Sequence, residues 1–296
     1  MVLLAGPTAS GKSRLALSHA AETGAWVVNA DSMQVYRDLR VLTARPSLED
    51  ERSAPHRLYG NVDGAVRYSV GAWLADFAAV LAEARELRRP LIVVGGTGLY
   101  FKALTEGLAE MPAIPAEMRA EVLAETAGLS APETHDRLRA IDPEDAAAIR
   151  PSDRSRIVRA LEVMRATGRS LAEWQRASAQ EPLLGPATAR RFVIVPDRIE
   201  LARRIAARTE AMLAGRAVPE VAALLARNLP PDFPLMKAIG VRQIADHLTG
   251  RLSLEAAAAA INLETRHYAK RQMTWFRNQM SDWPLEAKLD LLRLPA

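Results

Sequence analysis

Four stretches of this chain are apolar without the alternation that marks a strand with one wet face. They are MVLLA at residues 1–5, WVVNADS from Trp26 to Ser32, PLIVVGGTG from Pro90 to Gly98 and RFVIVPD from Arg191 to Asp197. Unbroken runs of this length, rich in Val, Ile and Leu, belong to strands covered on both faces, as in a parallel sheet. Helical repeats stand between them, in SRLALSHAAETG after the first run and from about Gly71 to Arg89 before the third. Strands alternating with helices predict an α/β fold, a mostly parallel sheet flanked by helices.

Between Pro112 and Pro186 the pattern changes. EMRAEVLAETAG, THDRLRAI, PEDAAAI, DRSRIVRALEVMRATG and LAEWQRAS all carry the helical period, and no strand-like run interrupts them. Pro112, Pro115, Pro182 and Pro186 punctuate the edges, because the residue before a proline is pushed out of helical geometry. The expected organisation is a core made of residues 1–112 and 188–296, with an all-helical insertion domain at 113–187. The chain then ends in a basic helix from about Leu254 to Met280.

Composition adds exclusions. At 49% hydrophobic and 25% charged the chain is an ordinary globular one. No apolar window approaches the length of a membrane span, and MVLLA is too short for a signal-peptide core, so a cytoplasmic protein is expected. The absence of cysteine removes disulfides, thiolate nucleophiles and Cys-based zinc sites. Oxygen, nitrogen and a hard cation remain for the chemistry. A net charge of +4 is compatible with a polyanionic partner but too mild to identify one.

The segment GPTASGKS fits G-x-x-x-x-G-K-[ST] and lies between a strand and a helix, the context that motif needs. Backbone N–H groups of Gly6, Thr8, Ala9, Ser10 and Gly11 would converge on phosphate oxygens, Lys12 would add charge, and Ser13 could hold a metal ion. A phosphate-splitting ATPase needs an acid at the end of another core strand, yet PLIVVGGTG carries none. Asp31 and Asp197 do lie at strand ends, and Asp31, expected on the neighbouring strand, is the better candidate. Asp before Ser is equally the pattern of a helix cap. Thr97 in GGTG reads either as a hydroxyl facing the site or as a turn residue hydrogen-bonded to its own backbone.

In LETRHYAKRQMTWFRN, Arg266, Lys270 and Arg277 fall at helical spacing, with Arg271 beside them and Tyr268, Trp275 and Phe276 interleaved. Such a face can hold RNA phosphates while flat side chains stack on unpaired bases. An amphipathic helix with core aromatics has the same pattern. His56, His135, His247 and His267 show no metal-ligand spacing.

Taken together, GPTASGKS, NADSMQVYR (Asn29 to Arg37), GGTGLYFKAL (Gly95 to Leu104), SRIVRALEV (Ser155 to Val163), KAIGVRQ (Lys237 to Gln243) and AKRQMTWFRN (Ala269 to Asn278) resemble the motifs of the tRNA dimethylallyltransferases, in that family's order and over essentially the whole chain. The resemblance implies a P-loop NTPase-like core and transfer of a dimethylallyl group from dimethylallyl diphosphate to the N6 amine of an adenosine beside the tRNA anticodon, with Mg²⁺ held at Ser13. Asp31 resembles the general base; Lys12 and Arg204 match diphosphate-binding positions, and Thr97 and Arg119 match positions that contact the target nucleotide. It further implies tRNA contacts by Asp31, Ser32, Met33, Gln34, Ser155, Arg156, Arg159, Lys237, Arg242, Lys270, Arg271, Gln272, Trp275 and Arg277, and a monomeric enzyme. Leu42 and Val241 depart from the glycine and tyrosine frequent at those places. Three other readings remain open: a P-loop kinase that turns over ATP, a prenyltransferase acting on free adenine nucleotides, and a nucleotide-dependent RNA-binding switch.

Overall fold

The structure, a computed structural model, describes residues 1–109, 111, 113–177, 181–185 and 187–287. Pro112 and Pro186, two of the expected boundary prolines, lie outside the described residues. Contacts divide the chain into one unit of Met1–Thr105 with Leu183–Ala296 and another of Glu106–Pro182. No helix among the described residues is long and apolar enough to cross a membrane.

In the first unit the four apolar runs become strands β1 (Val2–Ala5), β2 (Trp26–Asn29), β4 (Leu91–Gly95) and β5 (Arg190–Ile194). Two further strands, β3 (His56–Arg57) and β6 (Leu285–Glu286), are two residues each and too short to leave a hydropathy signal. All pairings are parallel, in the order β3-β2-β4-β1-β5-β6. One expectation is corrected here: β4 lies between β1 and β2, so Asp31 follows the second strand from the P-loop strand and not its neighbour.

Both faces of the sheet are covered, as the unbroken runs require. Val2 and Leu4 pack with Ala16 and Ala20 of helix Lys12–Thr23, where two small residues one turn apart let the helix lie close. Trp73, on helix Val70–Glu86, is fully buried; its indole N–H donates to the Asn29 carbonyl at 2.9 Å and its ring stacks on Tyr100 at 4.2 Å. That bond fixes the carboxyl end of β2, where the site residues begin.

At the end of β4 the glycines are demanded by contacts. A Cβ on Gly95 would stand 2.0 Å from the Ala30 carbonyl oxygen, one on Gly96 2.2 Å from Nε2 of Gln272, and one on Gly98 1.9 Å from Nε1 of Trp275. Gln272 and Trp275 come from helix Leu254–Gln279. The Gln272 amide accepts from the Thr8 N–H at 2.9 Å and donates to the Gly96 carbonyl at 2.8 Å, so one buried side chain ties the P-loop to the β4 turn.

The second unit contains five helices among its described residues: Ala116–Thr126, Ala131–Ile141, Pro143–Ala148, Arg154–Thr167 and Leu171–Ala177. Val122, Leu138, Ala146, Ile149, Ile157, Ala160 and Leu161 form its core. His135 Nε2 lies 2.8 Å and 3.0 Å from the Ala146 and Ile149 carbonyls and donates to them, a helix-end bond and not a ligand role.

Because the Gly95 Cβ would meet backbone and has no rotamer to escape into, Gly95→Ala should cost about 2 to 3 kcal/mol in urea unfolding. Gly71→Ala, whose added Cβ meets nothing nearer than 3.7 Å, should be neutral or slightly stabilising.

Candidate active site

The loop from Gly6 to Gly11 turns sharply between β1 and the first helix. Ala9 (φ 61°) and Gly11 (φ 90°) both adopt left-handed backbone, a strained choice for alanine that reverses the chain so that its amides face inward. No side chain caps the helix that starts at Lys12, which leaves its first N–H groups for a ligand. Lys12 donates to the Pro7 carbonyl at 3.1 Å. Desolvation pulls its ammonium from 10.5 down to about 8; the Asp31 charge opposes the fall and Arg208 adds to it. Ser13 is exposed beside it, and the Ser10 hydroxyl is buried without a partner.

Two arginines one turn apart on helix Arg198–Ala214 lean onto this loop. Arg204 is held by Glu200 (Nε to Oε1, 2.7 Å) and donates from Nη1 to the Ser10 carbonyl at 3.2 Å. Arg208 donates to the Thr8 hydroxyl at 2.8 Å, and burial lowers its pKa against the pull of Asp31. Sequence reasoning selected Arg204 and passed over Arg208. The signal was the four-residue spacing, which places both on one helical face.

Asp31 sits just beyond β2 in a turn fixed at every backbone group near it. Its N–H donates to Asn29 Oδ1 at 2.8 Å, and Asn29 Nδ2 donates to the Asp31 and Leu58 carbonyls, each at 3.0 Å. One carboxylate oxygen, Oδ1, accepts the Met33 N–H at 2.9 Å. The capping geometry is thus present, and it occupies a single oxygen. Thr97 accepts from the Ser32 N–H at 2.9 Å and donates to the Ser32 hydroxyl at 3.3 Å, which makes it a brace for the Asp31 turn. The Tyr59, Tyr100 and Tyr268 phenols are all pushed up, by burial first and the Asp31 charge second, so these three groups stay neutral.

Two clefts meet at Asp31. One, of about 300 Å³, is lined by Thr8 to Arg14, Asp31, Gln34, Thr43, Ala44, Arg204 and Arg208. The other, of about 280 Å³, is lined by Ser32, Met33, Leu42, Thr209, Met212, Lys237, Ala238, Ile239, Ile261, Glu264, Thr265, Tyr268 and Arg271. Thr8, Asp31, Thr43 and Arg208 border both. The first is built for an anion; the second is mixed, apolar with convergent polar groups, and suits an organic ring.

Residues expected to touch RNA divide by place. Ser32, Met33, Lys237 and Arg271 line the second cleft, and Gln34 lines the first with its Nε2 given to the Thr43 and Ala44 carbonyls. Arg242, Lys270 and Arg277 are exposed. Gln272 is 5% exposed and both ends of its amide are committed within the protein, while Trp275 is half-buried with its indole N–H against Gly98. Phe276 is core, as its helical period allowed. Within the helical unit, Arg119 and Arg159 both pair with Glu162, at 3.5 Å and 3.4 Å, Arg156 pairs with Asp153 at 3.4 Å, and Ser155 is exposed. Asp197 caps its helix by accepting the Ile199 and Glu200 N–H groups. Thr43 and Glu264 were not singled out, since neither motif nor spacing marks them, while Tyr268, read only as an aromatic of the basic helix, lines the second cleft.

Residues 34–279 match the family described as IPP transferase. The chain is 53% identical to a tRNA dimethylallyltransferase of Methylobacterium nodulans, covering 98% of this chain and 97% of that one. It is 54% identical to a tRNA dimethylallyltransferase of Rhodopseudomonas palustris, covering 95% and 89%. Among solved structures, the full-length tRNA isopentenylpyrophosphate transferase of Bacillus halodurans aligns with a TM-score of 0.66 at 31% identity, covering 96% of this chain and 88% of that one. A eukaryotic dimethylallyltransferase described as acting on tRNA shares the fold, with a TM-score of 0.79 at 24% identity over 99% and 75% of the two chains.

Lys12 titrating at about 8 gives a pH signature. Binding of inorganic diphosphate favours the protonated amine, so its affinity should weaken by up to about tenfold per unit as pH rises above that value. Calorimetric titrations from pH 7 to 10 would show it relative to Lys12→Arg, whose guanidinium keeps its charge throughout. Identical pH slopes in the two proteins would remove Lys12 from anion binding.

Proposed function

Since this chain belongs to the IPP transferase family, and its activity is transfer of a dimethylallyl group to tRNA, we propose that its P-loop holds dimethylallyl diphosphate while Asp31 takes the proton of an adenosine N6 amine beside the anticodon. The carrying observation is that Asp31, Thr8, Thr43 and Arg208 border both clefts, so donor and acceptor can meet there.

The adenine amine is a weak nucleophile because its lone pair is delocalised into the ring. As its nitrogen bonds to the first carbon of the allyl group, the N–H proton becomes acidic, and Asp31 Oδ2, the oxygen not engaged by Met33, accepts it. The carbon–oxygen bond breaks with its electron pair going to diphosphate. Loop N–H groups, Lys12, Arg204 and Arg208 meet that charge. Ser13 presents an exposed hydroxyl to the same cleft. No group of three or more His, Cys, Asp or Glu side chains able to hold a metal occurs among the described residues. Ser13 is the residue that would hold Mg²⁺, which would supply charge neutralisation at the departing diphosphate.

To reach Asp31 the target base has to leave its stack. Ser32, Met33, Lys237 and Arg271 flank its cleft, Thr97 positions Ser32, and Arg242, Lys270 and Arg277 provide exposed charge for phosphates. Arg119, Ser155, Arg156 and Arg159 offer a second basic face on the helical unit. With tRNA as its partner, the enzyme would work in the cytoplasm, as a monomer. A phosphate-splitting kinase is disfavoured because β4, beside the P-loop strand, ends in glycine with no acid.

Incubation with unmodified tRNA and radiolabelled dimethylallyl diphosphate should leave label on the RNA. Asp31→Asn, which keeps the acceptor for the Met33 N–H, should bind tRNA normally and lose about 10²- to 10⁴-fold in turnover; wild-type turnover would exclude Asp31 as base. In filter-binding titrations Lys270→Ala/Arg277→Ala should weaken tRNA binding and flatten the salt dependence by about one to two charges. An unchanged slope would assign those residues to the solvated surface alone.

A further inference from the structure

The segment from Leu39 to Ala44 forms part of the boundary between the two clefts, and it is held unusually firmly. Glu220, on helix Ala217–Ala226, accepts from three consecutive backbone amides: Arg40 N–H at 2.6 Å, Val41 N–H at 2.9 Å and Leu42 N–H at 2.9 Å. The Thr43 hydroxyl donates back to the Leu39 carbonyl, and Gln34 Nε2 reaches the Thr43 and Ala44 carbonyls. Thr43 borders both clefts, and Leu42, next to it, lines the second while only 9% exposed. Behind Leu42 stands Gly240: a Cβ there would lie 2.6 Å from Leu42 Cδ1. The leucine is therefore pinned at its backbone and supported at its back.

We propose that Leu42 limits the length of the allylic chain that the enzyme accepts, an inference that rests on the transfer reaction proposed above. With diphosphate fixed in the first cleft and the reacting carbon at Asp31, the rest of the chain must share the second cleft with the incoming base. Met33 and Met212, also lining that cleft, are unbranched and can reshape around a longer tail. Leu42 cannot withdraw without breaking the Glu220 bonds or entering Gly240. A ten-carbon donor extends the chain by a branched five-carbon unit and would compete with the base for the volume that this side chain denies it.

The experiment compares transfer to unmodified tRNA from dimethylallyl and geranyl diphosphates, with mass spectrometry of the modified nucleoside. Wild type should strongly favour the five-carbon donor. Leu42→Ala should raise the ten-carbon to five-carbon ratio of kcat/KM by about tenfold or more, as expected when pocket volume alone discriminates. Leu42→Val, which removes less, should move the ratio in the same direction by about threefold. The two variants also cover the case in which the alanine protein fails to fold, because the valine protein then decides. Five-carbon transfer retained with an unchanged ratio would overturn the role of Leu42. Absence of transfer by wild type from the five-carbon donor would instead overturn the proposed function.

Discussion

The site depends on a strand end that carries no side chain of its own. β4 lies between the P-loop strand and the strand that carries Asp31, and any side chain at its end would stand between the two. Gly95 and Gly96 remove it. Their neighbours fill the gap with backbone on one side, the Ala30 carbonyl, and with the Gln272 amide on the other. Gln272 spans from the Thr8 N–H to the Gly96 carbonyl, so the C-terminal helix, though last in sequence, sets the position of the first loop. A displacement of that helix would reach the P-loop and the β4 turn together.

The electrostatics are unfinished without a ligand. Lys12 and Arg208 are both shifted down by burial, and Asp31 is the acidic charge that offsets each. One carboxylate cannot neutralise two desolvated cations, and Arg204 stands nearby with its own partner in Glu200. The proposed diphosphate would complete the balance, its oxygens answering the cations in place of Asp31. In the proposed transfer this would make Asp31 more basic as the carbon–nitrogen bond forms, because diphosphate answers the cations that otherwise hold the carboxylate in its charged form.

Much of the fold was legible because burial on both faces writes itself as continuous hydrophobicity. The four central strands and the helical stretch between them follow from that rule and from the 3.6-residue period. β3 and β6 escaped it: two-residue edge strands bury too little to show. Strand order escaped it as well, because β1, β2 and β4 are equally apolar and nothing in a run of Val and Ile says which neighbour it pairs with. At the site, GPTASGKS and Asp31 were readable from motif and strand end. Thr97 was readable as a residue of interest, and its hydroxyl bonds not to its own backbone but to Ser32, in the turn that carries Asp31. Gln272, which only the family resemblance marked, as a tRNA contact, has a bond at each end of its amide that ties the P-loop to the β4 turn, a role no motif or spacing announces.

Leu42 carries that lesson further. In the sequence it is only a leucine where a glycine is frequent, and no period or motif gives it a role. Its meaning comes from Glu220 and Gly240, far away in the chain, which hold its backbone and its side chain respectively. A glycine at position 42 would leave open space in front of Gly240, and a side chain at position 240 would invade the space that Leu42 now fills. The two positions therefore share one volume beside the cleft where chain and base must fit together. The general chemistry of the site can be read from its charged residues, but its tolerance is set by apolar contacts of this kind, and those depend on which distant segments the sheet order brings together.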